Sequence, residues 1–410
     1  MTDFRQKLEK YADLAIRIGV NVQPGQPLVI SAPIGTAEFV RMLAAKAYEA
    51  GAGNVKVNWS DEKITRLQFE HAAPETFTQP PVWFAGEMTE FAEKGAAVLS
   101  VIAENPDALK GIDPARIASY QKTRGEAMSK YYEHVMSDKI SWSIVAIPSQ
   151  AWADKVFPDA PESERIDLLW NAIFHTVRLD RPDPVAAWRE HLDTLDGKSR
   201  ILNAKKYRKL HYIAPGTDLT IELPEGHLWA AGESFNSKGH SFVANMPTEE
   251  VFTAPLKTGV NGFVSSTKPL SHGGNLIENF TLTFENGKIV SVKAERGQET
   301  LERLIEMDEG ARYLGEVALV PHKSPISESN ILYFNTLFDE NASNHLAIGT
   351  AYAFCIEGGK EMDKEELARR GLNDSVTHVD FMIGSAEMNI NGVLADGTEE
   401  PVFVKGNWAF

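Results

Sequence analysis

The chain has 410 residues, 43% of them apolar and 24% charged, with 57 acidic against 41 basic side chains and a formal net charge of −16. Such a composition belongs to a globular rather than a disordered chain, and the length predicts two domains. The acidic excess argues against a nucleic-acid partner, because a sustained positive face is not expected. No apolar run approaches the roughly 18 residues of a membrane span. Cys355 is the only cysteine, which rules out an intramolecular disulfide and a site of several thiolates. With a polar, amphipathic opening segment, it predicts a cytoplasmic protein.

In chain order, residues 4–19 show helical spacing of Leu8, Tyr11, Ala12, Ala15 and Ile18, and 27–32 reads as a short apolar strand. A helix is predicted over 36–50, with Thr36 as its N-cap and Gly51 just past its end. Strands follow at 54–59, 96–103 and 140–147, separated by helical stretches at 61–72, 81–94 and 113–137. Apolar strands alternating with helices predict a mainly parallel sheet covered on both faces. Further helices are expected at 161–178 and 183–194, and Leu195 to Arg200 reads as the domain junction.

Beyond residue 207, period-two alternation predicts strands at 218–223, 259–266, 278–284 and 288–294. Glu285-Asn-Gly-Lys288 is a hairpin signal between the last two. A helix at 298–308 and a hairpin around 395–398 complete the pattern. The expected architecture is an α/β domain over 1–200 and a β-rich α+β domain over 201–410 that carries a metal site.

Several familiar sites are missing from the sequence. Gly51-Ala-Gly53 lacks the third glycine of a dinucleotide loop, and Gly358-Gly-Lys-Glu breaks the phosphate-loop pattern at its last position. Gly-x-Ser-x-Gly and His-Glu-x-x-His do not occur. What stands out instead is a set of carboxylates and imidazoles in apolar settings. His378 and Asp380 lie two apart in an alternating stretch, so both point to one face of a strand. They read equally as a metal site or as a hydrogen-bonded pair in a core.

Glu250 precedes Val251-Phe252, and Glu316 sits in a strand-like run before Val317-Ala-Leu-Val. Glu250 can also cap a backbone N–H, beside a solvated Glu249, and Glu316 can pair with Arg312. Glu340 and His345 share one segment, where a lone histidine is more often structural than a ligand. Tyr352 reads by itself as a core aromatic. Burying so many ionisable groups without compensation costs several kcal/mol each. Oxygen and imidazole donors together suit a pair of divalent ions, Zn, Co, Mn or Mg.

Asn245-Met-Pro-Thr-Glu-Glu250, Leu314-Gly-Glu316, Glu340-Asn-Ala-Ser-Asn-His345 with Tyr352, and His378-Val-Asp-Phe-Met-Ile-Gly384 resemble the motifs of the thermophilic aminopeptidases, metallopeptidase family 29. The resemblance runs from Leu8-Glu-Lys-Tyr-Ala-Asp-Leu-Ala15 to Asn407-Trp408. It implies a cytoplasmic, dimeric exopeptidase that removes N-terminal residues from small peptides with a water activated by two divalent ions. It further implies Glu250, Glu316, His345, His378 and Asp380 as ligands, with Glu316 bridging and Glu340 a ligand or a close partner of one. Tyr352 is implied as the donor to the tetrahedral oxyanion, and Glu316 or Glu250 as the proton carrier. Two other functions fit the same donors: a two-metal phosphoesterase, which usually adds Arg or Lys for the phosphate, and a non-catalytic metal-containing peptide-binding protein.

Overall fold

The computed structural model describes residues 2–79, 82–103, 105–273 and 275–410. Residue 81, the first of the helix expected at 81–94, lies outside them. The chain forms two compact units that interleave in sequence. One comprises residues 1–110, 127–194 and 232–248, the other 111–126, 195–231 and 249–410.

In the first unit, strands Val55–Ser60, Leu28–Pro33, Ala97–Ile102, Trp142–Ala146 and Asn245–Met246 lie side by side in that order. Every pairing is parallel, as near-continuous apolar strands between helices require. The helix Ala37–Glu49 ends at Gly51, whose φ of +93° suits glycine. Thr36 does not cap it: its hydroxyl turns back to the Pro33 carbonyl (2.7 Å), because a 3₁₀ turn over Ile34–Thr36 precedes the helix.

The stretch expected as one helix over 113–137 is two, Pro114–Ala127 and Ser129–Met136. The chain passes from one unit to the other between Thr194 and Leu195, at the start of the 195–200 stretch, but without a break in structure: those residues lie inside the helix Pro184–Lys205, where Leu192, Leu195 and Leu202 are buried at helical spacing. That apolar stripe outweighs the roughly 1 kcal/mol cost of Gly197 inside a helix. A short helix at Gln150–Val156 and a strand at Lys209–Ala214 add to the expected elements.

The second unit is β-rich. Strands Leu270–His272, Asn275–Glu285, Val260–Ser265, Thr217–Glu222, Lys209–Ala214, Asn389–Val393, Glu399–Val404 and Asn407–Trp408 form one sheet, with Lys288–Arg296 paired to the second of them. The hairpin at Asn286-Gly287 has positive φ at both residues, as a type I′ turn requires. A Cβ on Gly287 would fall 1.8 Å from the Lys257 carbonyl oxygen, so only glycine fits.

A smaller antiparallel sheet, Val251–Thr253, Leu314–Leu319, His345–Gly349 and His378–Met382, carries the motif residues. Alternation gives it two unlike faces. Val317, Leu319, Leu346, Ile348 and Phe381 join the apolar core shared with the large sheet. The opposite face bears Glu316, His345, His378 and Asp380.

Candidate metal centre

Register brings the polar residues together. Glu316 lies opposite Ala347, and Ala347 opposite Asp380, so both acids flank one small side chain on the same face. His345 and His378 stand opposite Ala318 and Gly349. Alanine and glycine at 347 and 349 leave room over the middle of the sheet for the acids and imidazoles to converge. A bulge between Leu314 and Glu316 adjusts this register. Gly315 sits in it, where a Cβ would meet the Thr350 carbonyl oxygen at 2.2 Å. Glu250 immediately precedes the edge strand, and Glu340 begins a 3₁₀ turn over Glu340–Ala342.

The distances are short. His345 Nε2 lies 3.0 Å from Glu250 Oε2 and 3.4 Å from Glu316 Oε1. His378 Nε2 lies 3.6 Å from both Glu316 Oε2 and Asp380 Oδ1. Three donor trios result: Glu250, Glu316 and His345; Glu316, His378 and Asp380; Glu340, His345 and Asp380. Glu316 belongs to the first two, one carboxylate oxygen facing each histidine.

Both imidazoles are aimed. His345 Nδ1 is 3.2 Å from the Ser343 carbonyl oxygen and His378 Nδ1 is 2.8 Å from that of Thr350. A carbonyl can only accept, so each Nδ1 carries a proton and each Nε2 faces the cluster, where it offers a lone pair to an ion once its own proton is lost. The alternatives open to the sequence resolve against this geometry. Arg312 pairs with Glu306 (3.9 Å) rather than with Glu316. Glu249 is buried, not solvated, and its N–H donates to Asn341 Oδ1 at 2.7 Å. The Tyr352 ring packs on Phe252 and Phe354, as a core aromatic would, and also meets His378 edge-on at 5.1 Å between centroids, so the core reading and a place beside the cluster hold together.

Crowding of like charge in a dry site perturbs titration. Burial, reinforced by Asp380 and Glu250, raises Glu316 to about 7. Burial likewise holds Glu340 well above the usual carboxylate range. For the histidines burial acts downward, but the carboxylates outweigh it: Glu250 and Glu316 hold His345 well above its ordinary value, and Asp380 and Glu316 raise His378 to about 9. Asp380 is lowered, the pull of His378 and His345 exceeding the effect of burial. Burial and then Glu316 push the Tyr352 phenol up.

Two buried oxygens of the cluster, Glu250 Oε2 and Asp380 Oδ1, form no well-aligned hydrogen bond and face the histidine Nε2 atoms 3.0 and 3.6 Å away. Leaving such atoms in a low-dielectric interior is unfavourable unless a cation meets them. Oxygen and imidazole donors in overlapping trios, with no thiolate, fit divalent ions of the Zn, Co or Mn kind. Sequence reasoning did not single out Ala347, Gly349 or Asn341. The small residues alternate with Leu346 and Ile348 after His345, a one-sided pattern that marks a face needing space.

Comparison with known proteins agrees with this chemistry. The model of the thermophilic metalloprotease family M29 matches residues 4–408. Aminopeptidase AmpS of Bacillus subtilis (strain 168) is 58% identical over 410 residues, covering 100% of both chains. Aminopeptidase 2 of Geobacillus stearothermophilus is 53% identical over 100% of this chain and 99% of its own. The structure of wild-type AmpT from Thermus thermophilus superposes with a TM-score of 0.90 at 42% identity, covering 99% of this chain and 100% of that one. The chain belongs to the M29 metalloprotease family.

Proposed function

We propose that this metallo-aminopeptidase hydrolyses the first peptide bond of small peptides at the cluster on the small sheet, where Glu250, Glu316, Glu340, His345, His378 and Asp380 would hold two divalent ions that activate water. The observation that carries this reading is the double membership of Glu316, which faces His345 through Oε1 and His378 through Oε2. Glu250 and His345 complete the donors on one side, and His378 and Asp380 on the other, with Glu340 reaching His345 and Asp380. Divalent ions held there supply Lewis acidity and lower the pKa of water towards neutrality.

The protein's own groups account for the remaining steps. The buried carboxylates attract the free α-ammonium of a peptide, which a blocked N-terminus lacks. Both oxygens of Glu316 face histidines, whereas Glu250 meets a histidine through one oxygen only. We therefore assign to Glu250 the transfer of a proton from the attacking water to the leaving amine. The phenol of Tyr352, kept protonated by burial and by Glu316, donates to the oxyanion as charge develops on the former carbonyl. The enzyme acts in the cytoplasm as a homodimer. None of the described helices is long and apolar enough to cross a membrane.

A phosphoesterase needs cations for its phosphate, and the clustered donors are acids and histidines. Release of chromophore from leucyl-p-nitroanilide and from p-nitrophenyl phosphate, with and without chelator, separates the readings. Cleavage of the aminoacyl substrate alone, abolished by chelator and restored by metal, is expected. Chelator-insensitive cleavage, or none with any metal, would overturn the proposal.

A further inference from the structure

Asn341 takes no direct part in this chemistry, yet it joins several segments of the site. It is fully buried. Its Oδ1 accepts the N–H of Glu249 (2.7 Å), the residue before Glu250. Its Nδ2 donates to the Leu337 carbonyl (2.9 Å) and reaches Glu340 Oε1 at 3.4 Å. Its own carbonyl accepts from the Ser324 hydroxyl at 3.0 Å. One amide thus ties the strand entrance that carries Glu250 to the turn that carries Glu340. These carboxylates come from segments about 90 residues apart in sequence, and both belong to trios that include His345.

Like-charged carboxylates repel in a dry site, and backbone slack at either segment would let them separate. A neutral side chain that accepts on one side and donates on the other opposes this without adding charge. We propose that Asn341 is a positioning residue that fixes the spacing of Glu250 and Glu340, and through it the affinity of the centre for divalent ions. This rests on the metallopeptidase reading above.

The test is calorimetric titration of the chelator-stripped full-length protein and its Asn341→Ala variant with cobalt(II) chloride, alongside thermal melts of both in chelator. Removing a residue that orients metal ligands typically costs 10- to 100-fold in metal affinity. We expect a loss of about that size for at least one binding event, in a variant whose metal-free melt remains cooperative. If Asn341→Ala does not fold, Ser324→Ala removes the hydroxyl that holds the Asn341 carbonyl (and that also caps the short Pro325–Glu328 helix through the Ser327 N–H), and a loss of about threefold or more is expected. Cobalt affinity within about twofold of the parent in the variant that folds would overturn the proposal, even with a lowered melting temperature. That pattern would mark Asn341 as merely structural. A parent chain that binds no cobalt would overturn the metallopeptidase reading as well.

Discussion

Replacing Glu316 by Gln separates the needs of the fold from those of the chemistry. The side chain is buried in the middle of the small sheet, and burial raises its carboxyl from 4.5 to about 7. Each pH unit of displacement is worth about 1.4 kcal/mol, so the ionised carboxylate weighs against the metal-free fold by about 3 kcal/mol at pH 8. The sign follows from the direction. A folded-state pKa raised above the unfolded one favours folding fully below about 4.5, and the advantage is lost as pH rises through about 7.

Glutamine has nearly the same shape and no charge to bury. In chelator, the Glu316→Gln protein should therefore resist urea at least as well as the parent at pH 8. The two should converge towards pH 5. With metal supplied the order reverses: the variant lacks the carboxylate shared by two donor trios, and turnover of leucyl-p-nitroanilide should fall by about 10³-fold or more. Urea melts with and without chelator, and initial rates at saturating metal, read both halves. A metal-free variant clearly less stable than the parent at pH 8, or near-parental turnover in a folded variant, would refute the reasoning.

Other outcomes follow from the same geometry. Tyr352→Phe should keep its bound metal and its KM but lose about 10²- to 10³-fold in kcat; an unchanged kcat would remove the phenol from the mechanism. Metal binding should weaken as pH falls from 8 to 6, because Glu316 near 7 and His378 near 9 hold protons that an ion must displace. Calorimetry in buffers of different ionisation enthalpy should register that proton release, and its absence would contradict the assigned contacts. Gly349→Ala should destabilise the protein by about 2 kcal/mol or more, since φ there is +112° and a Cβ would lie 2.1 Å from the Thr377 carbonyl oxygen. A melting temperature equal to the parent's would contradict that. Light scattering checks the homodimer, for which a monomer mass at micromolar concentration would be the opposing result.

Much of this was legible in the sequence because local patterning expresses it. Alternation placed His378 and Asp380 on one strand face, and Glu316 inside an apolar strand where a buried charge demands an explanation. The parallel order of the first unit followed from apolar strands between helices. What escaped depends on partners distant along the chain. The alignment of Glu316, Ala347 and Asp380 is a matter of register and of the bulge at Gly315, neither of which has a local signature. The carbonyls of Ser343 and Thr350 that aim the imidazoles are backbone atoms, invisible to residue type. Nothing local marks Asn341, and only tertiary contact shows its amide spanning two segments. The helix through Gly197 was hidden because glycine and charge read as a break, while burial of Leu195 and Leu202 decided otherwise.

Anomalous diffraction from crystals soaked in cobalt or zinc tests the central claim most directly. Two peaks are predicted over the small sheet, bridged by Glu316, with Glu250 and His345 on one side and His378 and Asp380 on the other. A single peak not touching Glu316, or peaks only at surface sites while the crystals' protein remains active, would contradict the account.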